Sequence, residues 1–586
     1  MTSAPSRLLL VALRVAALTL GAANAGAAML AESMNEDGIH YLDQGDAWMR
    51  GDWGMAINGT WSPLYPVILG LVMRAARPSI AWEFPLVQLV NFGVFVLALV
   101  CFDFFWREAT ERYYAPALEE TTEPDRFPPW MFLVMGYGVF IWSTTSLIRL
   151  FAVTPDMLVA AFVFLAAGYL LRLVDLGAGR RDAAALGAAL GAAYLAKAAM
   201  FPLGIAMLAV AGTVLVRSHR SIRLLLPGVA AFMLVAGSFL VPLSVNTGRL
   251  TFSEVGRTSY LRHVLHAPFP HYESGSPNLA GEPLHPLARS TSLPPVYRFD
   301  GAVGGTYPLV YDQGYWYEGV RGRINPRLQF QAIAINLQRY FGLFFREQGA
   351  MTGIALVLLI LLWRGYQRPF ASGGWALELA AFAAFGMYGL VYAEGRYLAP
   401  FIVLLWAGLL ITVRLRPEPG QPAWLRACGL AFILAVAVNI GSFHLDGFNA
   451  LVRIAPVVRA GPVSRSAAPD ARPSEVAGGL HELRLQGGDS IGVIGNAIGA
   501  TWARLARFRI VADVADGDAD DFWVASPDQQ RAVLAAFAAA GVRAVIAEPP
   551  AGGNAPPDWV PVGRTGYLAR FIAAGEGPPA LPAPNR

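Results

Sequence analysis

Adjacent acids, Glu36 and Asp37, open a polar stretch that runs through Gly38 to Tyr41, directly after a long apolar segment. A carboxylate at a membrane surface, partly stripped of water, can be tuned into a general base; plain solvation of an outer loop explains the pair equally simply. Farther along, Arg149 is followed by Thr154-Pro155-Asp156 at the head of another apolar run. A helix N-terminus favours an acid, so Asp156 reads either as a capping group or as a second acid of a site. Lys197 falls in a short turn, Tyr194-Leu195-Ala196-Lys197-Ala198, and is the only lysine among 45 Lys and Arg residues. An ammonium at headgroup depth can snorkel to the interface or meet a phosphate as a point charge. Snorkelling would serve as well with arginine, which the chain uses everywhere else, and this favours a role that needs lysine. Glu394 and Arg396 stand in Tyr392-Ala393-Glu394-Gly395-Arg396-Tyr397-Leu398-Ala399-Pro400, where Arg396 can pair locally or hold a phosphate oxygen.

These residues are held by apolar elements. The chain has 586 residues, only 15% of them charged, against about 25% in a soluble chain, and its mean hydropathy is +0.45. A spanning helix needs roughly 20 mostly apolar residues, and about eleven segments approach that: 8–30, 82–105, 130–147, 156–173, 183–196, 198–216, 224–245, 350–363, 375–392, 398–413 and 425–441. Arginines cluster after the second, fourth, sixth and eighth of these (Arg107 and Arg112; Arg172, Arg180 and Arg181; Arg217, Arg220 and Arg223; Arg364 and Arg368). Every second loop is therefore basic, which places those loops on the cytoplasmic side and the acids, Lys197 and Arg396 on the other. Segment 62–76 is too short an apolar run to span and reads as an interfacial helix. Ala23-Asn24-Ala25 resembles a signal-peptide cleavage site, but retention of the first span as an anchor is the expectation.

The reading is a mostly α, polytopic helical membrane protein with a small C-terminal α/β domain. Residues 1–444 form the transmembrane domain, with outer loops 31–81 and 246–349. Residues 445–474 are a linker, rich in Pro, Ala, Ser and Arg around 456–474, and 475–586 an extracytoplasmic domain. In that domain strands are expected at 490–494, 509–512 and 544–547, with helices near 500–506 and 527–540. Its Gly492, Gly495 and Gly499 do not have the spacing of a dinucleotide loop. Cys101 and Cys428 sit in apolar runs and read as small buried hydrophobes. No zinc-ligand spacing and no basic, aromatic surface for nucleic acid is present, so neither a metal or other cofactor nor a nucleic-acid partner is expected.

In order and sidedness these motifs resemble the GT-C superfamily of lipid-linked-sugar glycosyltransferases, and more closely its family-39 and RgtA/B/C/D-like branch. The resemblance rests on Glu36, Asp37 and Tyr41, on Pro63-Leu64-Tyr65-Pro66, on Thr154-Pro155-Asp156 and on Arg396-Tyr397-Leu398-Ala399-Pro400, and covers roughly residues 8–415. The branch commonly shows Asp-Glu where this chain has Glu36-Asp37, so either acid can be the base; Gly38 and Tyr41 follow Asp37 at the family-like spacing and favour Asp37. The resemblance implies transfer of a sugar from a polyprenyl-phosphate donor to a hydroxyl of a glycan, lipid or protein acceptor, in the inner membrane of a bacterium and on its periplasmic face, among membrane lipids. It implies Asp37, Glu36 and Asp156 as catalytic acids and bases, and Lys197, Arg396 and Arg149 around the donor phosphate. Tyr41, Tyr65, Tyr397 and Trp316 would contact substrate, with Tyr260, His263, His271, Tyr307, Tyr311 and Tyr317 of the long loop covering it. A lipid or polyanion transporter, or a non-catalytic assembly protein on the same scaffold, is the competing expectation. A transporter should place its polar groups near the bilayer midplane and show internal repeats, and neither is seen in the sequence.

Overall fold

The computed structural model describes residues 7–572 apart from 116–124, 176, 273–276, 300, 302, 366–372, 415–420, 460–471 and 550–555. Arg368 and residues 460–471 of the expected linker therefore lie outside the described residues, while 445–459 are helical. The membrane part is built from α1 (Arg7–Leu30), α2 (Glu36–Arg50), α3 (Leu64–Ala76), α4 (Ile80–Tyr114), α5 (Pro129–Trp142), α6 (Asp156–Arg172), α7 (Arg180–Ala196), α8 (Met200–Arg217) and α9 (Leu226–Asn246). After the long loop, which carries α10 (Val255–His263) and α11 (Pro326–Phe341), come α12 (Gly349–Gly365), α13 (Gly374–Val391), α14 (Gly395–Thr412) and α15 (Gln421–Arg459). Among the described residues eight helical segments are long and apolar enough to cross a membrane, starting at Arg7, Ile80, Pro129, Met200, Ile222, Gly374, Gly395 and Pro422. The chain is thus a multi-pass membrane protein. The eight fall within the expected eleven; α6 and α7 have 17 residues each and α12 another 17, which reach only ~25 Å at 1.5 Å per residue. The 62–76 segment forms the short α3.

The basic loops meet at one end of the bundle. Arg112 in the last turn of α4 bonds Asp175 after α6 at 2.5 Å; Arg220 after α8 bonds the carbonyl of the same Asp175 at 2.7 Å; and Arg414 after α14 bonds the carbonyl of Arg112 at 2.7 Å. Glu36, Asp37, Asp156, Lys197 and Arg396 all sit at helix ends on the opposite side.

Two local features fix how α2 is held at that end. Gly45 of α2 and Gly70 of α3 let the two backbones touch: a Cβ on Gly45 would stand 2.7 Å from the Pro66 carbonyl oxygen, and one on Gly70 2.6 Å from that of Gly45. No other residue permits this approach. Beneath them Gln88 of α4 donates to the carbonyls of Ser33 (2.8 Å) and Phe151 (3.1 Å), tying the entries of α2 and α6 to one long helix.

The C-terminal domain begins with α16 (Pro473–Glu482) and contains β3 (Ser490–Ile494), α17 (Thr501–Leu505), β4 (Arg509–Val514), α18 (Pro527–Ala539) and β5 (Ala544–Ala547). These match the expected strands and helices to within two residues at every end. Ser526 and Gln529 form a capping box at the start of α18, the side-chain pattern that fixes a helix start. The sheet is larger than the sequence suggests. Two short strands of the long loop, β1 (Ala288–Arg289) and β2 (Tyr297–Arg298), join it at one edge, and β6 (Val560–Pro561) and β7 (Leu568–Phe571) at the other, in the order β1-β2-β4-β3-β5-β7-β6. β3 pairs in parallel with β4 and β5, while β2 adds antiparallel to β4 with Tyr297 opposite Asp513.

Candidate active site

The helix ends opposite the basic loops enclose a cavity of about 1190 Å³. Its wall runs from Ser33–Asp37 and Tyr41 of the first loop to Ser146–Arg149 and Thr154–Asp156. It continues through the α7–α8 turn at 196–199, the face of α10 and the α13–α14 junction at 387–397.

Each charged group arrives at a helix end. Asn35, the residue before α2, accepts the Val153 amide at 2.7 Å, so the entries of α2 and α6 are stitched together and Glu36 and Asp37 start α2 side by side. Asp156 begins α6 with its side chain 3% exposed. Lys197 ends α7 in extended backbone (φ −153°, ψ 127°), and this break turns its ammonium inward. The ammonium bonds Asp156 Oδ1 at 2.5 Å and lies 3.5 Å from the centre of the Tyr397 ring. Arg396, in the first turn of α14, sits among three carboxylates: Glu394 at 3.0 Å, Asp37 at 3.4 Å and Asp156 at 3.7 Å. It also bonds the Tyr397 hydroxyl at 3.2 Å. The sequence candidates Asp37, Asp156, Lys197, Arg396 and Tyr397 therefore converge on one cluster, although Asp37 and Arg396 are 359 residues apart in the chain.

Around the cluster, Glu36 faces the cavity, and partial burial together with the neighbouring Asp37 charge raises its carboxyl above the ordinary range. Arg149 lines the cavity with left-handed backbone (φ 60°); its carbonyl accepts the Ala152 amide at 2.8 Å, and its charge acts on Glu347, which lines the same cavity. Tyr41 lines it as well, edge-on to Trp61 (4.9 Å) and Tyr65 (5.2 Å). Two candidates lie elsewhere. Tyr65 is 1% exposed behind Tyr41, its hydroxyl donating to Asn91 at 2.6 Å, and Trp316 is buried in the long loop with its indole donating to the Pro308 carbonyl at 2.9 Å. Of the loop aromatics and histidines, His263 reaches the cavity wall, stacked on Tyr392 at 4.2 Å; burial and the nearby Arg262 and Arg339 charges push its ring down to about 4. Arg262, Gly499 and Thr501 also line the cavity. The sequence gives no signal for the last two, because they belong to the C-terminal domain and reach the wall only through the tertiary fold.

Among the described residues no group of three or more His, Cys, Asp or Glu is arranged to hold a metal ion. What the cluster offers instead is a carboxylate open to the cavity (Asp37, 35% exposed) beside cations (Lys197, Arg396) whose positions are fixed by a buried acid. Such a set can accept a proton at one point and stabilise growing negative charge at another.

No family model matches the chain, and no curated protein matches it. Among solved structures, ArnT from Cupriavidus metallidurans bound to undecaprenyl phosphate superposes with a TM-score of 0.53 at 13% identity, covering 98% of this chain and 100% of that one. The fold is GT-C-like. The apo state of the same ArnT gives a TM-score of 0.50 at 14% identity, covering 96% and 97%. The coverage means that the GT-C-like likeness extends through the C-terminal domain, beyond the 8–415 stretch over which the sequence motifs run.

Proposed function

We propose that the protein is a membrane glycosyltransferase that moves a sugar from a polyprenyl-phosphate donor to an acceptor hydroxyl on the periplasmic side of a bacterial inner membrane. The observation that carries this is the cluster itself. A partly exposed carboxylate, Asp37, and two fixed cations, Lys197 and Arg396, face one cavity at the helix ends opposite the basic loops. The GT-C-like fold and the lipid phosphate bound by ArnT add support.

In this reading the acceptor oxygen attacks the anomeric carbon while Asp37 takes its proton. The bond from that carbon to the phosphate oxygen breaks, and its electron pair leaves with the lipid phosphate. Lys197 and Arg396 stabilise the charge that grows on the phosphate, an interaction strongest in the transition state. Asp156 holds both cations in place, and Arg149, in the cavity wall, can meet the phosphate directly. Tyr41 and Tyr397 would line the sugar, and Glu36 is the alternative base. No metal is needed for these steps.

The test is transfer in reconstituted membranes, with a panel of radiolabelled polyprenyl-phosphate sugars and an envelope extract as acceptor. Wild type should move label and Asp37→Asn should not. Equal transfer by both would remove Asp37 as base. No transfer by wild type in membranes where a control transferase works would instead favour transport or assembly.

A further inference from the structure

The C-terminal domain grips the helix that carries Asp37. Arg504 of α17 is 4% exposed and is shared by three carboxylates: Asp46 at 2.7 Å and Asp43 at 2.8 Å, both on α2, and Glu83 of α4 at 3.2 Å. Arg507 adds a second link to Glu83 at 2.6 Å. Asp43 is further held by the amide and hydroxyl of Thr306 in the long loop, at 2.6 and 3.1 Å. Two residues of the segment that leads into Arg504, Gly499 and Thr501, are the domain's own part of the cavity wall.

The placement on α2 gives this clamp its meaning. At about 100° per residue, Asp46 projects from α2 about 180° away from Asp37. The clamp therefore holds the back of the helix whose front carries the base, and it fixes the rotation of that helix against α4 and the domain. A buried ion cluster is weak evidence for added stability, since desolvation offsets much of the attraction; fixing a register is the better-supported use of one. Here Nη2 of Arg504 is buried with no hydrogen-bond partner among the described residues, which also argues against a cluster optimised for stability alone.

We propose that Arg504 is a positioning residue: by holding Asp43 and Asp46 it sets the rotation of α2, aims Asp37 into the cavity, and makes transfer depend on the docked C-terminal domain. This rests on Asp37 acting as the base. A misplacement of about 1 Å can cost on the order of 100-fold in rate, so Arg504→Met should lower kcat by about 10- to 100-fold while the donor KM barely moves. Arg504→Lys keeps the charge but cannot reach three carboxylates at once and should fall between Met and wild type. The control for simple docking is Asp513→Asn. Asp513 ties the same domain to the long loop through His271 and Tyr307, both at 2.8 Å, without touching α2.

A second readout needs no activity. Cys101 and Cys428 are buried, so in full-length Asp37→Cys the rate of labelling by a water-soluble thiol reagent reports how residue 37 faces the cavity. Adding Arg504→Met should change that rate severalfold, and adding Asp513→Asn should not. Equal effects of Arg504→Met and Asp513→Asn on kcat and on labelling, or no effect of Arg504→Met on either, would overturn the inference. If labelling responds as expected while Asp37→Asn still transfers, the clamp stands as a device that orients α2 and it is the assignment of the base that fails.

Discussion

Asp37 and Asp46 lie on the same 15-residue helix, yet their surroundings are opposite. Asp37 faces a cavity of about 1190 Å³, is 35% exposed, and touches an arginine that other carboxylates already hold. Asp46 faces protein, and although burial opposes its ionisation, Arg504 and Arg507 outweigh that and hold its carboxyl below the ordinary range. Both clusters use acids and guanidinium groups at short range. The inner one is closed: Arg504, Glu83 and Asp43 are each nearly inaccessible and spend their charge on one another. The outer one leaves Asp37, paired only loosely with Arg396 at 3.4 Å, and Arg149 open to the cavity. Open and closed versions of the same chemistry, on two faces of one helix, separate a site that can react from one that can only hold.

The largest break in this comparison should come from Asp37→Asn, which removes the proton acceptor together with one of the three carboxylates around Arg396; transfer should fall by about 10²- to 10⁴-fold with little change in melting temperature. On the closed side the pattern should invert. Glu83→Gln leaves buried guanidinium charge short of a partner, and breaking such a cluster costs about 3–5 kcal/mol, read as a lower melting temperature in detergent with the donor KM unchanged. Between the two faces sits His40, fully buried against Trp61, with neither ring nitrogen hydrogen-bonded to any described residue. Burial pushes its ring down to about 4 from 6.5. The unfolded ring takes its proton near 6.5 and the folded ring only near 4, so folding weakens as the pH falls through that window, by on the order of 3 kcal/mol. His40→Phe should flatten this acid slope in a thermal-melt series and leave stability above pH 7 much as it was.

Smaller effects sharpen the open side. Lys197→Arg keeps the charge, but a guanidinium cannot sit over Tyr397 as the ammonium does and still meet Asp156. A kcat loss on the order of tenfold is expected, below the 100-fold or more of deleting a charge donor outright. Arg149→Ala should raise the donor KM by about 5- to 10-fold, in keeping with roughly 1 kcal/mol for a partly solvated charge contact, and should weaken the dependence of that KM on salt. Stability should not change.

The open cluster was legible in the sequence because each of its members breaks a local rule. Lys197 stands alone in an arginine-only chain, Asp156 follows Thr-Pro at the head of an apolar run, and Arg396 interrupts an apolar junction. The closed cluster gave no such signal. Glu83 looks like the polar flank of a span and Arg504 like an ordinary helix residue, and only the tertiary fold brings them together across 421 positions. Three of the tail's strands, β3, β4 and β5, could be read because each has four or more residues in apolar runs; β6 and β7, of two and four residues, were not expected. β1 and β2 have two residues apiece, too short for any alternation to register. Tyr65 and Trp316 show the opposite error. Aromatic residues in outer loops suit sugar faces, but both are buried and fully engaged with protein.

The borrowed strands impose a timetable on biogenesis. Tyr307 leaves the ribosome 206 residues ahead of Asp513, the acid its hydroxyl finally bonds. At about 5–20 residues per second, the loop hairpin waits for roughly 10–40 s with an unpaired edge, the kind of edge that invites wrong pairing. Its partner strand reaches it only after the helices from α12 to α15 have been made. This face of the protein is thus completed last, by the C-terminal domain closing over a loop made long before.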